Sequence, residues 1–350
     1  MMLELKNRRI ALIGGAGFIG HNLALALARE GADVEIIDSL QVNNLLSFAA
    51  SARGEFQNRD LYLRVINQRL DLLREASIPL HVQDARDYSA LTNILLEIKP
   101  QVIIHLAAVA HAGRANKDPY STFDHSLRTL ENALDCARGH AEHFIFLSSS
   151  MVYGHFQTPE VDEEHPLNPI GIYGALKLAG ERMVIAYQQV FDLPYTILRP
   201  SALYGPRCVS RRVGQVFIES AMNGSSLRVD GDGNERLDFT YIDDLVAGVK
   251  LIIQNPDARN QVFNMTYGDS RSINDLAAII CQAFPEVAVE YVERDKLMPF
   301  RGTLSAKKAR NLLGYQGMIP IEMGFPKYIQ WYKELSRGGN FFLDIKAENE

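Results

Sequence analysis

The chain has 350 residues, of which 47% are hydrophobic and 22% are charged, and its formal net charge at pH 7 is -6. A chain of this length can bury one large core or two coupled domains, and its composition is ordinary for a globular protein. The negative charge gives no reason to expect a nucleic-acid partner, and no apolar run reaches the ~18 residues that could span a bilayer.

Neither the cysteines nor the amino terminus indicates export or a metal site. The three cysteines, Cys136, Cys208 and Cys281, lie far apart and have neither metal-ligand nor disulfide-framework spacing. The first residues lead directly into an apolar strand and lack the layout of a signal peptide. We therefore expect a cytoplasmic enzyme with reduced cysteines and no bound metal.

The amino-terminal segment predicts a dinucleotide-binding unit. Residues 9–20 form an apolar strand that runs into Gly14, Gly17 and Gly20, and a helical pattern follows over residues 21–29. A second strand then ends at Asp38, about 20 residues beyond the glycines. The glycines let the backbone approach a pyrophosphate, which binds the free amides at the helix N-terminus.

The residues around Asp38 favour NAD over NADP. The Asp38 carboxylate can accept hydrogen bonds from the ribose hydroxyls of the adenosine. The three residues that follow, Ser39, Leu40 and Gln41, include neither arginine nor lysine, so a 2′-phosphate would meet repulsion. We therefore predict NAD as the cofactor.

The rest of the first 200 residues predicts strands alternating with helices in a doubly wound parallel sheet. Asp84 is placed to meet the adenine amino group, and the small Ala107 and Ala108 leave room for the cofactor. Strands are expected at residues 78–84, 101–108, 143–150 and 195–200, with a further candidate at 261–266, and helices at residues 59–76, 88–98, 120–138, 173–190, 272–284 and 305–313. The helix at 59–76 is amphipathic, and we expect it to pack on the sheet edge.

Tyr173 and Lys177 are the strongest candidates for acid–base chemistry. They lie four residues apart at the start of a helix, so both side chains project from one face. A lysine ammonium one turn away, together with a nicotinamide cation, would lower the pKa of the phenol and make the phenolate accessible. Ser149, at the end of a predicted strand, can orient the same substrate oxygen.

These residues resemble the extended short-chain dehydrogenases/reductases that act on nucleotide sugars. The resemblance covers nearly the whole chain and rests on several motifs. They are Gly14-Gly-Ala-Gly-Phe-Ile-Gly20, Asp38, Asp84-Ala-Arg-Asp87, His105-Leu-Ala-Ala108, Ser148-Ser-Ser-Met-Val-Tyr-Gly154, Tyr173-x-x-x-Lys177, Arg199-Pro200, Tyr204-Gly-Pro-Arg207, Arg236-Leu-Asp-Phe-Thr-Tyr-Ile-Asp-Asp244 and Lys308-Ala-Arg-Asn-Leu-Leu-Gly-Tyr315.

The resemblance implies roles for individual residues. Ser149 and Tyr173 would be catalytic, with Tyr173 as the base, and Lys177 would bind the nicotinamide ribose. The other implied cofactor-binding residues are Gly14, Gly17, Phe18, Ile19, Gly20, Asp38, Asp84, Ala85, Leu106, Ala107 and Ala108. The implied substrate-binding residues are His111, Ser149, Ser150, Arg207, Arg236 and Arg301, with the arginines at the nucleotide diphosphate.

The reaction is inferred from two residues beside the implied catalytic serine. The similar 4,6-dehydratases carry Asp and Glu directly after the catalytic hydroxyl, and a sugar-nucleotide decarboxylase would carry Glu at the second position. Here these positions are Ser150 and Met151, which are unsuited to that acid–base work. The remaining chemistry is reversible oxidation at one carbon, and hence 4-epimerisation of a UDP-sugar through a 4-keto intermediate.

Several departures leave the identity of the sugar and nucleotide open. The long stretch between Asp38 and Asp84 looks most like that of UDP-glucuronate 4-epimerases, although it is longer than expected. Polar residues typical of the family are replaced at Ala202, His125 and Ser305, and Leu237 separates Arg236 from Asp238. His111 is a candidate second acid or base at C3 or C5, or a hydrogen-bonding group for the sugar.

The resemblance also implies domain bounds and an assembly. We expect a Rossmann-type NAD-binding domain at residues 1–200 plus about 238–266, a smaller nucleotide-sugar-binding lobe at about 201–237 plus 267–337, and a tail at 338–350. A homodimer would pair the helices that begin near Tyr120 and Tyr173. Alternative functions are a nucleotide-sugar oxidoreductase, a C3/C5 epimerase and a non-catalytic NAD-sensing protein.

Overall fold

We describe a computed structural model of the protein over residues 2–50, 58–109 and 112–337. In chain order its strands are β1 (Arg9–Ile13), β2 (Asp33–Asp38), β3 (Leu80–Val82), β4 (Val102–His105), β5 (His143–Leu147), β6 (Glu160–Val161), β7 (Tyr195–Arg199), β8 (Leu203–Tyr204), β9 (Leu227–Asp230), β10 (Arg236–Leu237), β11 (Thr240–Tyr241), β12 (Gln261–Asn264), β13 (Arg271–Ser272), β14 (Val289–Val292) and β15 (Thr303–Leu304).

The helices connect these strands. They are α1 (Phe18–Arg29), α2 (Leu45–Ala49), α3 (Arg59–Glu75), α4 (Tyr88–Ile98), α5 (Ala112–Lys117), α6 (Pro119–Phe123), α7 (Thr129–Ala137), α8 (Gly171–Phe191), α9 (Val213–Met222), α10 (Ile242–Gln254), α11 (Ile273–Ala283), α12 (Lys307–Leu313) and α13 (Ile321–Arg337). A π-helical turn (Asp124–Arg128) and two 3-10 turns (Ser150–Tyr153 and Pro256–Ala258) complete the description. Among the described helices, none combines the length and apolar character needed to cross a membrane.

A seven-stranded parallel sheet in the order β3-β2-β1-β4-β5-β7-β12 forms the centre of the protein. One core packs on the face covered by α1, α3 and α10, and a second core packs on the face covered by α4, α7 and α8. The predicted Rossmann-type doubly wound fold is therefore confirmed. The strand order reverses between β1 and β4, and such a reversal opens a crevice at the carboxyl ends of the strands.

Some elements end earlier than the sequence predicts, because side chains bind the backbone locally. Strand β5 stops at Leu147, since the Ser149 hydroxyl caps the following 3-10 turn by accepting a hydrogen bond from the Met151 amide. The helix predicted at 120–138 is interrupted by the π-helical turn. Directly after that turn, Thr129 at the start of α7 donates from Oγ1 to the His125 carbonyl. Such turns re-aim side chains, and His125 lies at the crevice.

The long stretch between β2 and β3 contains the predicted amphipathic helix, α3. Its buried face packs on α1 and α2. It also reaches the carboxyl-terminal part of the chain, where the Tyr62 hydroxyl donates to the buried Glu219 of α9. Glu219 accepts further hydrogen bonds from Asn58, Gln215 and Tyr332, so α3, α9 and α13 are joined through one carboxylate.

A buried ion pair fixes α8 to β7. Arg199 and Glu181 have side chains that are 4% and 2% exposed, and two hydrogen bonds of 2.7 and 2.9 Å join them. Glu181→Gln should lower the free energy of unfolding by about 3–5 kcal/mol, because it leaves the buried guanidinium unpaired. Urea denaturation measures this change.

The control for this variant is Asp71→Asn, which breaks the ion pair between Asp71 and Arg74, whose side chains are 51% and 79% exposed. Its effect should stay below about 1 kcal/mol, since exposed pairs contribute little. Equal losses in the two variants would contradict a structural role for the buried pair.

Candidate functional site

The crevice between β1 and β4 contains a cavity built around the glycine-rich turn. Gly14 has a φ of +81°, and a Cβ there would lie 2.6 Å from the Ala107 amide nitrogen. At Gly20 a Cβ would lie 2.4 Å from the Gly15 carbonyl oxygen. Only glycine allows this packing, which brings the start of α1 to the cavity. Gly17 precedes α1 without a side-chain cap, so the first amides of the helix are available to an anion.

All eleven residues predicted for the cofactor alone line this cavity. They are Gly14, Gly17, Phe18, Ile19, Gly20, Asp38, Asp84, Ala85, Leu106, Ala107 and Ala108. The residues predicted for the cofactor are therefore brought together around one cavity, and the turns that follow β1 and β4 both contribute to it.

Asp38 connects the glycine-rich turn to the end of β2. Its carboxylate oxygens accept hydrogen bonds from the Ala16 amide at 3.0 Å and the Leu40 amide at 2.7 Å. Burial raises the pKa of Asp38, while these two amides act in the opposite direction. Each oxygen keeps a lone pair for a ribose hydroxyl.

The opposite end of the cavity contains Asp84, Ala85 and His125. Burial raises the pKa of Asp84, but hydrogen bonds and charge from Arg86 outweigh it, so the net shift is downward. Arg86 also donates to Asp124 at the start of the π-helical turn. Amide donors at one end, the Asp38 carboxylate in the middle and a polar pocket beyond it fit a dinucleotide.

A second cavity of about 390 Å³ adjoins the first and shares Ile19, Leu106, Ala108 and Arg212 with it. We call the first the cofactor cavity and the second the substrate cavity, after the ligands predicted for their residues. The predicted residues that line the substrate cavity are Ser149, Ser150, Tyr173, Lys177 and Arg301. The catalytic candidates therefore line the cavity that adjoins the one predicted for the cofactor.

Lys177 is buried at the base of this cavity. Its ammonium donates to the Leu147 carbonyl at 2.6 Å and lies 4.9 Å from the centre of the Phe146 ring. Burial lowers the pKa of Lys177 to about 8, against an opposing effect of Glu181. An ammonium has three donors, so Lys177 can bind a further acceptor in the cavity that it lines.

The cation that acts on Tyr173 is Arg212, a residue that the sequence did not single out. Burial raises the pKa of Tyr173, while the charge of Arg212 and a hydrogen bond from Ser149 lower it. The expected cation was Lys177, whose ammonium is engaged by Leu147. The adjacent basic pair Arg211 and Arg212 was the available signal, but its position beside Tyr173 depends on the fold of a distant loop.

The three consecutive serines have different environments. Ser148 Oγ donates to the Glu181 carboxylate in the buried ion pair, so that hydroxyl is already engaged. Ser149 interacts with Tyr173, as the prediction for the catalytic serine requires. Ser150 lines the same cavity beside them.

Two of the three predicted diphosphate-binding arginines line one cavity. Arg301 lines the substrate cavity and, together with Arg236, a neighbouring cavity in which Arg236 donates to Ser270. Arg207 has a φ of +67°, and its guanidinium donates to His21 and Asn22 on α1 rather than facing the substrate cavity. The left-handed backbone at Arg207 and these two hydrogen bonds direct its guanidinium to α1, away from the diphosphate position predicted from its motif. His111 lies outside the described residues.

Comparison with known proteins identifies the family. The sequence model of the NAD dependent epimerase/dehydratase family matches residues 10–266. The chain belongs to this family. Its members act on nucleotide sugars, and the cofactor of the chain is NAD.

The relatives of this chain include an epimerase and a dehydratase, the two enzyme types in the name of the family. The chain is 29% identical to a putative UDP-glucose 4-epimerase of Methanocaldococcus jannaschii over 94% of this chain and 99% of that protein. It is 25% identical to a dTDP-D-glucose 4,6-dehydratase of Mus musculus, over 93% of this chain and 89% of that protein.

Solved structures of family members have the same fold. The crystal structure of UDP-glucuronic acid 4-epimerase from Bacillus cereus, in complex with UDP-glucuronic acid and NAD, aligns with a TM-score of 0.82 at 23% identity. The alignment covers 93% of this chain and 99% of that one.

Proposed function

We propose that this epimerase/dehydratase family member is a UDP-sugar 4-epimerase. The observation that carries the proposal is the meeting of Ser149, Tyr173 and Lys177 in the cavity that adjoins the cofactor cavity. Directly after Ser149, the cavity is lined by Ser150 and Met151 instead of acidic residues.

The chemistry requires one proton and one hydride to leave the same carbon. NAD bound in the cofactor cavity supplies reversible hydride acceptance at C4. Tyr173 accepts the proton of the C4 hydroxyl, Ser149 orients that oxygen, and the Arg212 charge favours the phenolate. Lys177 would bind the nicotinamide ribose. The 4-keto sugar then presents its other face, and Tyr173 returns the proton to the C4 oxygen.

Dehydration is disfavoured by the side chains next to Ser149. Eliminating water across C5 and C6 needs an acid and a base that can exchange protons with the sugar. Met151 has no ionisable group, and its sulfur lies 3.9 Å from Nη1 of Arg301. The cavity carboxylates Asp230, Glu235 and Asp295 lie elsewhere in the chain, and Glu235 faces Arg294 and Arg301.

Arg212 supports a substrate whose sugar carries a carboxylate. Its charge acts on Tyr173, and its Nε is buried without a hydrogen-bond partner among the described residues. A buried guanidinium donor beside the reacting carbon suits an anionic group on the sugar, because Arg and carboxylate form strong charge-assisted hydrogen bonds. We therefore propose UDP-glucuronate as the preferred substrate, ahead of UDP-glucose.

NMR spectroscopy of the purified protein with UDP-glucuronate, UDP-glucose and UDP-N-acetylglucosamine, without added cofactor, tests this function. The proposal predicts a new anomeric signal from a galacto-configured product, strongest with UDP-glucuronate, and no net NADH. No turnover of any of the three by NAD-loaded protein would overturn the assignment to UDP-sugars.

We also propose a homodimer through α6 and α8. Tyr120 on α6 is 87% exposed, and Val190 and Phe191 are exposed at the end of α8. These apolar side chains would be covered in a four-helix contact between two copies. Light scattering should give twice the 39.2 kDa mass of the chain, and a monomer mass at micromolar concentration would contradict the dimer.

A further inference from the structure

Arg69 is a buried cation whose surroundings are incomplete. It lies on α3, in the stretch between β2 and β3, and is only 1% exposed. Its Nε and Nη2 both donate to the Arg207 carbonyl, at 2.8 and 2.5 Å. Its third donor group, Nη1, is buried and has no hydrogen-bond partner within residues 2–50, 58–109 and 112–337.

Among the described residues, no carboxylate forms an ion pair with the Arg69 guanidinium, whose hydrogen bonds go to a backbone carbonyl. Burial lowers the pKa of Arg69 to about 10, Asp38 and Cys208 favour its charged form, and Arg207 opposes it. Asp38 already accepts two backbone hydrogen bonds, from Ala16 and Leu40. A buried guanidinium with an unused donor is unfavourable unless an anion completes its hydrogen bonds.

The position of Arg69 limits which anion could do so. Arg69 lines the cofactor cavity, close enough to Asp38 for their charges to interact. Its charge also acts on His21, in the second turn of α1, and helps to lower the pKa of that histidine after the larger effect of burial. Arg69 is therefore near both the ribose-binding carboxylate and the start of α1, where the dinucleotide phosphates are expected.

We propose that Nη1 of Arg69 donates to a phosphate oxygen of the bound NAD. The same guanidinium would then hold the cofactor and, through the Arg207 carbonyl, the loop at residues 205–212. Phosphate is favoured over ribose because Asp38 already offers acceptors to the ribose hydroxyls, while a diphosphate supplies the missing negative charge.

This arrangement explains a feature of the loop. Arg207 has a left-handed backbone conformation, which is unfavourable for a residue with a side chain. Arg69 holds its carbonyl, and His21 and Asn22 hold its guanidinium. The loop also carries Arg212, so α3 connects cofactor retention to the position of a residue in the substrate cavity.

Binding of ADP-ribose and of adenosine to the full-length protein, freed of NAD, tests the contact. Arg69→Met keeps an unbranched apolar side chain in place of the arginine stem but removes every donor. We expect it to weaken ADP-ribose binding at least tenfold, about the effect of one charged hydrogen bond, and to change adenosine binding less than about twofold. It should also lower the amount of NAD that copurifies.

The control is Tyr62→Phe, a variant on the same helix that removes the hydrogen bond to Glu219 and no donor to the cavity. It should leave ADP-ribose affinity unchanged. Equal weakening of ADP-ribose and adenosine by Arg69→Met, or unchanged affinity for both, would overturn the proposal.

A second variant, Arg69→Lys, retains the charge and serves if Arg69→Met fails to fold. We expect it to bind ADP-ribose more weakly than the wild type, because one ammonium replaces a guanidinium that serves two partners. Wild-type affinity in Arg69→Lys would overturn the guanidinium contact. No UDP-sugar substrate is present in these assays, so their outcome does not depend on the epimerase assignment.

Discussion

Tyr173→Phe should lower kcat for UDP-glucuronate by about 10²–10⁴-fold, the range expected when a general acid–base group is lost. The variant removes the hydroxyl that interacts with Ser149 and whose pKa is lowered by the charge of Arg212. The ring remains, so the cavity keeps its shape. Steady-state turnover measured by NMR, together with the NAD content of the purified variant, separates a chemical defect from loss of cofactor.

Tyr187→Phe is the matched control for Tyr173→Phe. Tyr187 lies on the same helix, α8, and its ring packs on Phe191 at the far end of that helix. Its turnover should be that of the wild type. Tyr173→Phe with more than a tenth of wild-type kcat would contradict the role of Tyr173 as the proton acceptor.

Arg212→Met should lower kcat/KM for UDP-glucuronate by about 100-fold, because the variant leaves the sugar carboxylate without its charged hydrogen-bond partner. Part of the loss also reflects a higher pKa of Tyr173, since the charge of Arg212 lowers that pKa. The pH at which kcat/KM reaches its plateau should accordingly move upward. Kinetics with UDP-glucuronate across pH 6–9 measure both effects.

UDP-glucose provides the comparison for Arg212→Met. It lacks the carboxylate but needs the same proton transfer at C4, so its kcat/KM should fall by less than about tenfold. Arg212→Lys should recover part of the activity toward UDP-glucuronate by restoring the charge. Equal losses with the two sugars would contradict the proposed carboxylate contact while leaving the epimerase assignment intact.

The parts of the protein that local sequence determines were predictable. The glycine-rich turn was predictable because its tight turn, its close backbone packing and the start of α1 all lie within a few residues of one another. These requirements explain the spacing of Gly14, Gly17 and Gly20. Tyr173 and Lys177 share a helix face, so their common direction follows from helix geometry alone. The strands that end beside the cofactor cavity, such as β1 and β4, were predicted because parallel strands buried on both faces form apolar runs.

Features that depend on distant contacts were not predictable. Arg207 belongs to a recognisable motif, but its positive φ and its contact with His21 turn it toward α1. Arg212 reaches Tyr173 only through the path of the 205–212 loop, and Arg69 reaches that loop from an inserted helix. A helical pattern indicates which face is buried, but not which of its cations will meet a cavity.

The most direct test of the central claim follows a deuterium label at C4 of the sugar. UDP-glucuronate deuterated at C4 is incubated with the purified, NAD-loaded protein and the products are analysed by NMR and mass spectrometry. 4-Epimerisation predicts a galacto-configured product that retains the deuterium at C4, with no carbon dioxide released and no NADH accumulating. Migration of the label to another carbon, its loss to NADH in solution or release of carbon dioxide would contradict the assignment.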